Sequence, residues 1–335
     1  MDMDTFLTKL YVFIDDWYKA KAAPMVKRTV GPEARLSDSE VLTLAIVSQW
    51  RCGVPWQSER AMVRYMQKEG RQWFPQMLSR SRYNERVRCL WAVLVILQQA
   101  LAELLGSREA LYEVVDCVPL PNCSNAQACK KGHWLYWSTR GYGGTRVSCY
   151  WGDQALISVT PEYAITGWLI GPANADDRVL LQGLISQRNG QCIFTTPTPW
   201  RPHRQIEAPA FLHPVLAAGR AATGATYLAD KGFNGFRWQN HWYTHYGVSV
   251  VTEPPRNLMP ADWPVCWSRS LHHMRQVIET TFAILTTAFR VQHLMAHSLW
   301  GQLTRFAATL AAFNWGLFIN RQLGRHLLSH ATLLN

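Results

Sequence analysis

The segment 271–290 constrains the fold of this chain most, because it combines an amphipathic helix with one internal acid. Apolar residues recur in it at steps of three and four, which predicts a helix that packs one face on a core. Glu279 is the only carboxylate of this segment, and Arg275 precedes it by one turn. Upstream, the segments VVDCVP and LADKGF bring Asp116 and Asp230 to the ends of predicted buried strands. These three rigid elements each offer one carboxylate, which predicts a functional site.

Composition limits the class of protein and favours a class of partner. The chain has 335 residues, is 48% hydrophobic and 17% charged, and is expected to be globular with one large or two medium domains. Its net charge of +11 favours nucleic acid as a partner, with a merely basic surface as the alternative. The acidic N-terminus is unlike a secretory signal, and the apolar stretches are too short for a membrane span. We therefore expect a cytosolic protein with reduced thiols and no membrane contact.

Residues 1–106 have the pattern of an all-helical, DNA-binding domain. Ser37 and Glu40 have the spacing of a capping box at the start of one helix. A Gly/Pro turn follows, and then a helix with Arg60, Arg64 and Lys68 on one face. This order predicts a possible helix-turn-helix module, and an ordinary helical hairpin is the alternative. Further arginines that could neutralise DNA phosphates are Arg80, Arg82, Arg86 and Arg88.

From residue 107 the pattern changes to short strands. The predicted strands are 111–118, 145–151, 163–170, 225–229 and 248–252, with turns at 141–144 and 152–161. The predicted helices are 179–186, 238–245, 271–290 and 299–322, with an irregular insert near 187–224 and a tail at 323–335. Three strands, helix, strand, helix, strand, helix is the element order of the ribonuclease H-like fold. We therefore expect an α/β catalytic domain at 107–322, built on a ribonuclease H-like mixed five-stranded sheet flanked by helices.

In that fold the strands that carry Asp116 and Asp230 are neighbours, and Glu279 projects from a helix packed on the sheet. Three converging carboxylates repel one another unless a cation neutralises them. Mg²⁺ and Mn²⁺ prefer oxygen ligands, and two such ions can activate a nucleophile and stabilise the leaving oxygen of a phosphodiester. We predict that Asp116 bridges two ions and that Asp230 and Glu279 hold one each. The alternatives are a turn role for Asp230 before Gly232 and an ion pair between Glu279 and Arg275.

Other candidate ligands fit structural roles better. Asp153 lies in a predicted turn, and Asp176 and Asp177 suit a helix N-cap. Glu113 is three residues from Asp116 on the same strand, and so on the opposite face. The spacing of the cluster Cys117, Cys123, Cys129 and His133 matches no common zinc pattern.

The segments VVDCVP, LADKGF and RQVIETTF, with LSDSEVLTL and SRSRYN in the helical half, resemble bacterial insertion-sequence transposases of the DDE class. The resemblance runs in order over about 30–310. It implies a DNA transposase of the bacterial cytosol, associated with the nucleoid, that binds the terminal inverted repeats of its element. It further implies metal-dependent strand cleavage, transfer of the 3′ ends to target DNA, and a homodimer when two ends are synapsed.

Members of this class often place a Tyr, an Arg, the catalytic Glu and a later Lys on the last helix. Arg275 and Glu279 match this pattern, whereas His272 stands in place of the Tyr, and Thr286 and Thr287 stand near the expected Lys. The resemblance thus implies that Arg275 and His272 contact phosphates near the cleaved strand. The Lys that would handle strand ends or open hairpins has no counterpart at these positions.

Further DNA contacts are expected beside the predicted acids. Lys130 and Lys131 follow Asp116 in a loop, and Lys231 follows Asp230 directly; these lysines would hold DNA backbone, with surface solvation as the alternative. Trp238 would stack a flipped base as related enzymes do, and core packing is its alternative. Two other functions stay open: a non-catalytic DNA-binding protein derived from a transposase, and a ribonuclease H-like nuclease acting on branched nucleic acid.

Overall fold

The computed structural model describes residues 1–26, 34–123, 138–143, 148–189, 225–254, 264–296 and 298–334. The helices are α1 Met3–Trp17, α2 Asp38–Val47, α3 Glu59–Lys68, α4 Arg80–Cys89, α5 Trp91–Leu104, α6 Asp177–Arg188, α7 Phe236–Tyr246, α8 Val265–Thr287 and α9 Leu299–Gln322. The strands are β1 Glu113–Cys123, β2 Thr139–Gly143, β3 Ser148–Val159, β4 Ile165–Pro172, β5 Thr226–Ala229 and β6 Ser249–Thr252.

The chain forms two compact units. The first consists of Met1–Gln98, Ile284–Arg290 and Leu299–Asn335, and the second of Gln99–Ala283 and Val291–Ser298. The final helix occupies the predicted residues, but it belongs to the first unit, with the N-terminal helices. The predicted boundary at residue 106, between a DNA-binding domain and a catalytic domain, stays a prediction.

The first unit is helical and packs around the apolar helices α2 and α9. The predicted capping box is confirmed at the start of α2: the Glu40 amide donates to Ser37 Oγ at 3.2 Å, and the Ser37 amide donates to Glu40 Oε2 at 2.6 Å. In α9 the Asn314 side chain donates to the Gln98 carbonyl at 3.1 Å. The predicted tail is packed, because the ring of His330 is buried and stacks on Phe313.

The predicted helix-turn-helix differs from the structure in its connection. Helix α2 ends at Val47 and α3 begins at Glu59, so residues 48–58 separate them. This connection of eleven residues, counted from those bounds, is longer than the three or four residues of the usual turn. The two helices therefore do not have the linker that the module requires.

The second unit contains a mixed sheet in which β2-β3-β1-β5-β6 are hydrogen-bonded in that order, and β4 also pairs with β3. Strand β1 is antiparallel to β3 and parallel to β5, and β5 is parallel to β6. Helices α6 and α7 cover one face, where Leu181, Ile185 and Trp242 pack against Val115 and Tyr227 of the sheet. The coarse expectation of helices followed by a mixed α/β sheet is confirmed.

The predicted turns at 141–144 and 152–161 are wrong for the described residues. Residues Thr139–Gly143 form β2, and β3 continues through Gly152 to Val159. Gly152 suggested a turn, but it lies between Pro121 of β1 and Thr139 of β2. A Cβ at this position would lie 2.3 Å from the Leu120 carbonyl oxygen, so close approach of two strands explains the glycine.

The predicted irregular insert near 187–224 overlaps the end of α6, and its residues 190–224 lie outside the described residues.

Among the described residues, no single helix is long and apolar enough to cross a membrane. The bent pair α4 and α5, at 62° to each other, passes that test by length and composition.

Candidate active site

The parallel pairing of β1 with β5 brings two of the predicted ligands side by side. Val114 pairs with Leu228 and Val115 pairs with Ala229. Asp116 is the next residue of β1 and Asp230 is the first residue after β5, so the two aspartates lie side by side where the pairing of these strands ends. The predicted approach of Asp116 and Asp230 therefore follows from the observed strand order.

Arg275 of α8 lies between the two aspartates. Its Nη1 is 3.0 Å from Asp230 Oδ1, and its Nη2 is 3.9 Å from Asp116 Oδ2. The side chain of Arg275 is 21% exposed, and its Nε is buried with no hydrogen-bond partner among the described residues. Ile278, in the next turn of α8, is fully buried. A packed helix thus fixes one guanidinium against both carboxylates.

Glu279 is not brought to the aspartate pair. Glu279 is exposed on α8, one turn after Arg275. Within the described ranges, no group of three or more His, Cys, Asp or Glu side chains is arranged to hold a metal ion. The ion pairs of Arg275 that the structure describes are with Asp116 and Asp230, and the sequence had offered Glu279 as its partner. The catalytic role of Glu279 stays a prediction.

The Asp116 carboxyl is harder to ionise than a free carboxyl despite Arg275. Burial raises the pKa of Asp116 to about 6, and the nearby Asp230 and Asp177 also raise it. The Cys117 amide, which donates to Asp116 Oδ1 at 2.8 Å, and Arg275 oppose this rise without cancelling it. A cation that joined the site would therefore be stabilised by it.

Asp177 is a third carboxylate of this region that the sequence interpretation had assigned to a helix cap. Asp176 is the actual N-cap of α6, and its carboxylate accepts from the Arg178 amide at 2.9 Å. The pKa of Asp177 is raised by burial and by Asp176 and Asp230, against a hydrogen bond with the Cys117 thiol. Asp177 also raises the pKa of Asp116, so the start of α6 lies near the aspartate pair. A helix that follows a strand running in the same direction as β1 could have indicated Asp177 as a neighbour of this site.

Glu253 is a second acid that the sequence interpretation missed. It follows β6, and its Oε2 is 3.0 Å from Nζ of Lys231. The Ser268 hydroxyl of α8 donates to its Oε1 at 2.8 Å, and this bond and Lys231 lower the pKa of Glu253. Lys231, a predicted DNA contact, is thus engaged in an exposed ion pair. Glu253 lies at the edge of a proline-rich loop, where the local pattern gave no signal.

The remaining predicted DNA contacts of the second unit differ in their surroundings. His272 is exposed on α8. Trp238 is half-buried, and the centroid of its ring lies 5.6 Å from that of the buried Trp242. This contact is what the alternative role of Trp238, core packing, predicts. Lys130 and Lys131 lie outside the described residues, as do Cys129 and His133 of the cysteine cluster.

The basic face predicted for the first unit is present on α3. Arg60, Arg64 and Lys68 are exposed, whereas Met62 and Met66 are buried on the opposite side. This amphipathic arrangement leaves three cations of one face in solvent. The face is therefore accessible to a polyanion.

The four arginines of α4 are not equivalent. Arg86 Nη2 is 2.5 Å from Asp38 Oδ1 and also donates to the Leu36 carbonyl at 3.2 Å. Arg82 forms an exposed ion pair with Glu85 at 3.1 Å. The other two, Arg80 and Arg88, are exposed. Arg86 therefore connects α4 to the start of α2, and its predicted contact with DNA would have to break that pair.

Comparisons of the chain with protein-family models, with curated proteins and with solved structures gave no significant match. The ribonuclease H-like topology and the transposase resemblance accordingly stay predictions. A function has to be inferred from the residues of this chain.

The donor atoms at the sheet edge fit part of the expected metal site. Carboxylate oxygens are the ligands that Mg²⁺ and Mn²⁺ prefer, and Asp116 and Asp230 supply them from side-by-side positions on adjacent strands. The raised pKa of Asp116 shows that burial disfavours its charged form, which a bound cation would favour. The aspartate pair therefore fits a hard divalent cation, with Arg275 in contact with both ligands and Glu279 outside the pair.

Proposed function

We propose that this protein is a DNA transposase that binds the inverted repeats at the ends of its element and catalyses DNA cleavage and strand transfer. The observation that carries the proposal is the side-by-side position of Asp116, inside β1, and Asp230, directly after the parallel strand β5, with Arg275 against both. The order of the sequence motifs supports the same function. The proposed setting is the bacterial cytosol, at the nucleoid, with a homodimer at synapsed ends.

Asp116 and Asp230 would hold the divalent ions, and Glu279 would complete the ligand set. When bound, Mg²⁺ or Mn²⁺ would supply an activated water or 3′-hydroxyl and stabilise the leaving oxygen. Arg275 contacts both aspartates in the protein alone, so its guanidinium would compete with bound cations for their carboxylates. A guanidinium released from the aspartates would bind a phosphate of the DNA strand, because guanidinium matches phosphate geometry.

The exposed cations of the first unit support DNA as the partner. Arg60, Arg64 and Lys68 form one solvated face on α3, and Arg80 and Arg88 are exposed on α4. Such cations bind phosphates without reading base sequence. They would supply affinity and orientation, and sequence recognition would need further contacts.

A non-catalytic DNA-binding protein is the second candidate, and one observation favours it. Glu279 is exposed, and no three acidic, histidine or cysteine side chains of the described ranges converge on an ion. A protein of this kind would keep the basic α3 face and use the aspartates with Arg275 only as a structural ion pair. A ribonuclease H-like nuclease on branched nucleic acid is distinguished from both by its substrate.

The test is cleavage of labelled duplexes that contain the DNA flanking the gene, in Mg²⁺ or Mn²⁺, with a branched-DNA and RNA–DNA hybrid panel beside them. We expect nicking at the repeat end by the wild-type protein. Asp116→Asn, Asp230→Asn and Glu279→Gln should each lower the rate at least about 100-fold, the scale on which loss of a charge-stabilising group acts. Glu103→Gln, which removes an exposed acid paired with Arg108, is the matched control.

Each alternative result has a distinct meaning. Wild-type rates in all three acid variants would show that the carboxylate assignment is wrong. Binding of the duplex with no cleavage in either ion would favour the DNA-binding protein. Cleavage confined to branched DNA or to the hybrid would favour the nuclease.

A further inference from the structure

We propose that Arg188 is a positioning residue that sets the register between β1 and β5, and so keeps Asp116 and Asp230 at the same level. This inference rests on the proposed function in one respect: that function is the reason why Asp116 and Asp230 have to lie side by side. The observations that support it are on the opposite face of the sheet from the two acids. They concern Glu113 and Tyr227, which stand three residues before each aspartate.

The register of β1 and β5 has little backbone to define it. Strand β5 has four residues, and three of them pair with β1. A slip of one residue would turn Asp230 to the other face of the sheet. A slip of two would move it about 7 Å along the strand, at roughly 3.3 Å per residue. A short parallel strand therefore needs side-chain contacts to hold the two acids together.

One buried guanidinium supplies those contacts at the start of the same ladder. Glu113 and Tyr227 are direct partners in the register of β1 and β5. Arg188, at the end of α6, donates through Nη1 to Glu113 Oε2 at 2.6 Å and to the Tyr227 hydroxyl at 2.5 Å. The same nitrogen thus bonds one residue of each strand, and these bonds exist only when the two residues lie opposite each other.

The contacts extend across the sheet. Arg188 Nη2 donates to Thr166 Oγ1 of β4 at 2.9 Å, and the Ser158 hydroxyl of β3 donates to Glu113 Oε2 at 2.5 Å. The guanidinium has little spare room, because a Cβ at Gly167 would lie 2.7 Å from Nη2. Side chains of four strands therefore join one hydrogen-bond network. Arg188 bonds those of β1, β4 and β5 directly, and that of β3 joins through Glu113.

The cost of burying this network argues for a role in specifying register. The side chains of Arg188 and Glu113 are 3% and 2% exposed. Apolar residues of similar volume often replace a buried ion pair without loss of stability. An ion pair has directional bonds that an apolar cluster lacks, and direction is what distinguishes one register from the next. The position of Glu113 on the face opposite Asp116 leaves the network free to act without entering the site.

The test measures amide hydrogen exchange residue by residue in the full chain, for Arg188→Met, Arg188→Lys and Tyr227→Phe. If Arg188 sets the register, Arg188→Met should lower protection of the β5 amides at least about 10-fold more than that of the β1–β3 ladder, since segments open locally. Tyr227→Phe removes one hydroxyl and should show the same selectivity, more weakly. Arg188→Lys, which keeps the charge, should restore part of the protection.

Gln182→Met is the matched control on the same helix. Gln182 accepts from Trp242 Nε1 at 2.9 Å and donates to the Tyr246 hydroxyl at 3.0 Å, so its bonds run to α7. Its loss should lower protection without selecting β5 over β3. A uniform loss in Arg188→Met and Tyr227→Phe, equal to that of the control, would overturn the register role. If Arg188→Met does not fold, Tyr227→Phe decides the question.

Kinetics separate this inference from the proposed function. In the nicking assay Arg188→Met should lower kcat and leave KM for DNA unchanged, since it moves the acids and not the DNA-binding face. Exchange requires no activity, so a wild-type protein that fails to nick DNA refutes the transposase and leaves the register test valid. Metal-dependent nicking with unselective exchange refutes the register role alone.

Discussion

Replacing Asp116 by Asn should make the metal-free protein more stable at neutral pH. Folding buries this carboxylate beside Asp230 and Asp177, and its pKa rises from the ordinary 3.8 to about 6. The folded state therefore holds an extra proton between these values, so stability falls as pH rises through that window. Asparagine has no charge to desolvate and can still accept from the Cys117 amide.

The size of the effect follows from the same two values. A pKa that rises from 3.8 to about 6 costs about 3 kcal/mol above pH 6, at about 1.4 kcal/mol per pH unit. The side chain of Asp116 is 26% exposed, so solvent screens part of this effect and the figure is an upper estimate. Arg275 keeps its closer partner, Asp230, in the variant. We therefore expect a gain of about 2–3 kcal/mol at pH 7.5 and none below pH 3.8.

The assay is urea unfolding in EDTA at several pH values between 3.5 and 7.5. The control is Asp176→Asn, which removes a carboxylate whose pKa is lowered by hydrogen bonds from Arg178. That substitution should have the opposite sign, because a lowered pKa contributes stability above its unfolded value. An Asp116→Asn variant no more stable than the wild type at pH 7.5 would contradict this prediction. A gain in stability that is the same at every pH would also contradict it.

Two further predictions concern the first unit. Burial lowers the pKa of His330, so the unfolded chain takes up its proton first and stability should fall as pH drops below 6.5. Measured in the Asp116→Asn background, this fall should disappear in His330→Asn and persist in the exposed control His326→Asn; an unchanged slope would contradict it. Changing Arg60, Arg64 and Lys68 together to Gln should reduce the slope of log affinity against log salt by up to about 2.7 for duplex DNA, at about 0.9 per phosphate. Melting temperature should not change, Arg108→Gln serves as the control, and an unaltered salt slope would exclude this face from DNA binding.

The predictable part of the site is the part that strand order determines. Asp116 and Asp230 each end a Val- or Leu-containing run, and the expected order of elements makes their strands neighbours. The capping box at Ser37 and Glu40 was also predictable, since it depends on four consecutive residues. These features are local, or follow from a rule of topology.

The unpredicted part depends on contacts that no local pattern contains. Arg275 has Glu279 one turn away, yet it pairs with acids that the sheet presents to it. Arg86 is likewise held by Asp38, 48 residues earlier. Gly152 was misread because a glycine for a turn and a glycine for strand approach look alike in sequence. In each case a contact with a residue distant in sequence determines the role of the side chain or of the glycine.

The contact of Arg275 with both aspartates has a consequence for how this protein can change over generations. Loss of Arg275 leaves two adjacent carboxylates facing each other without their cation, whereas loss of the Asp116 carboxylate leaves the guanidinium paired with Asp230. Removing the cation first therefore costs stability, and removing the buried acid first does not. Arg275 is therefore expected to be inherited for as long as both aspartates are. A lineage that abandons the chemistry would lose Asp116 before it loses Arg275.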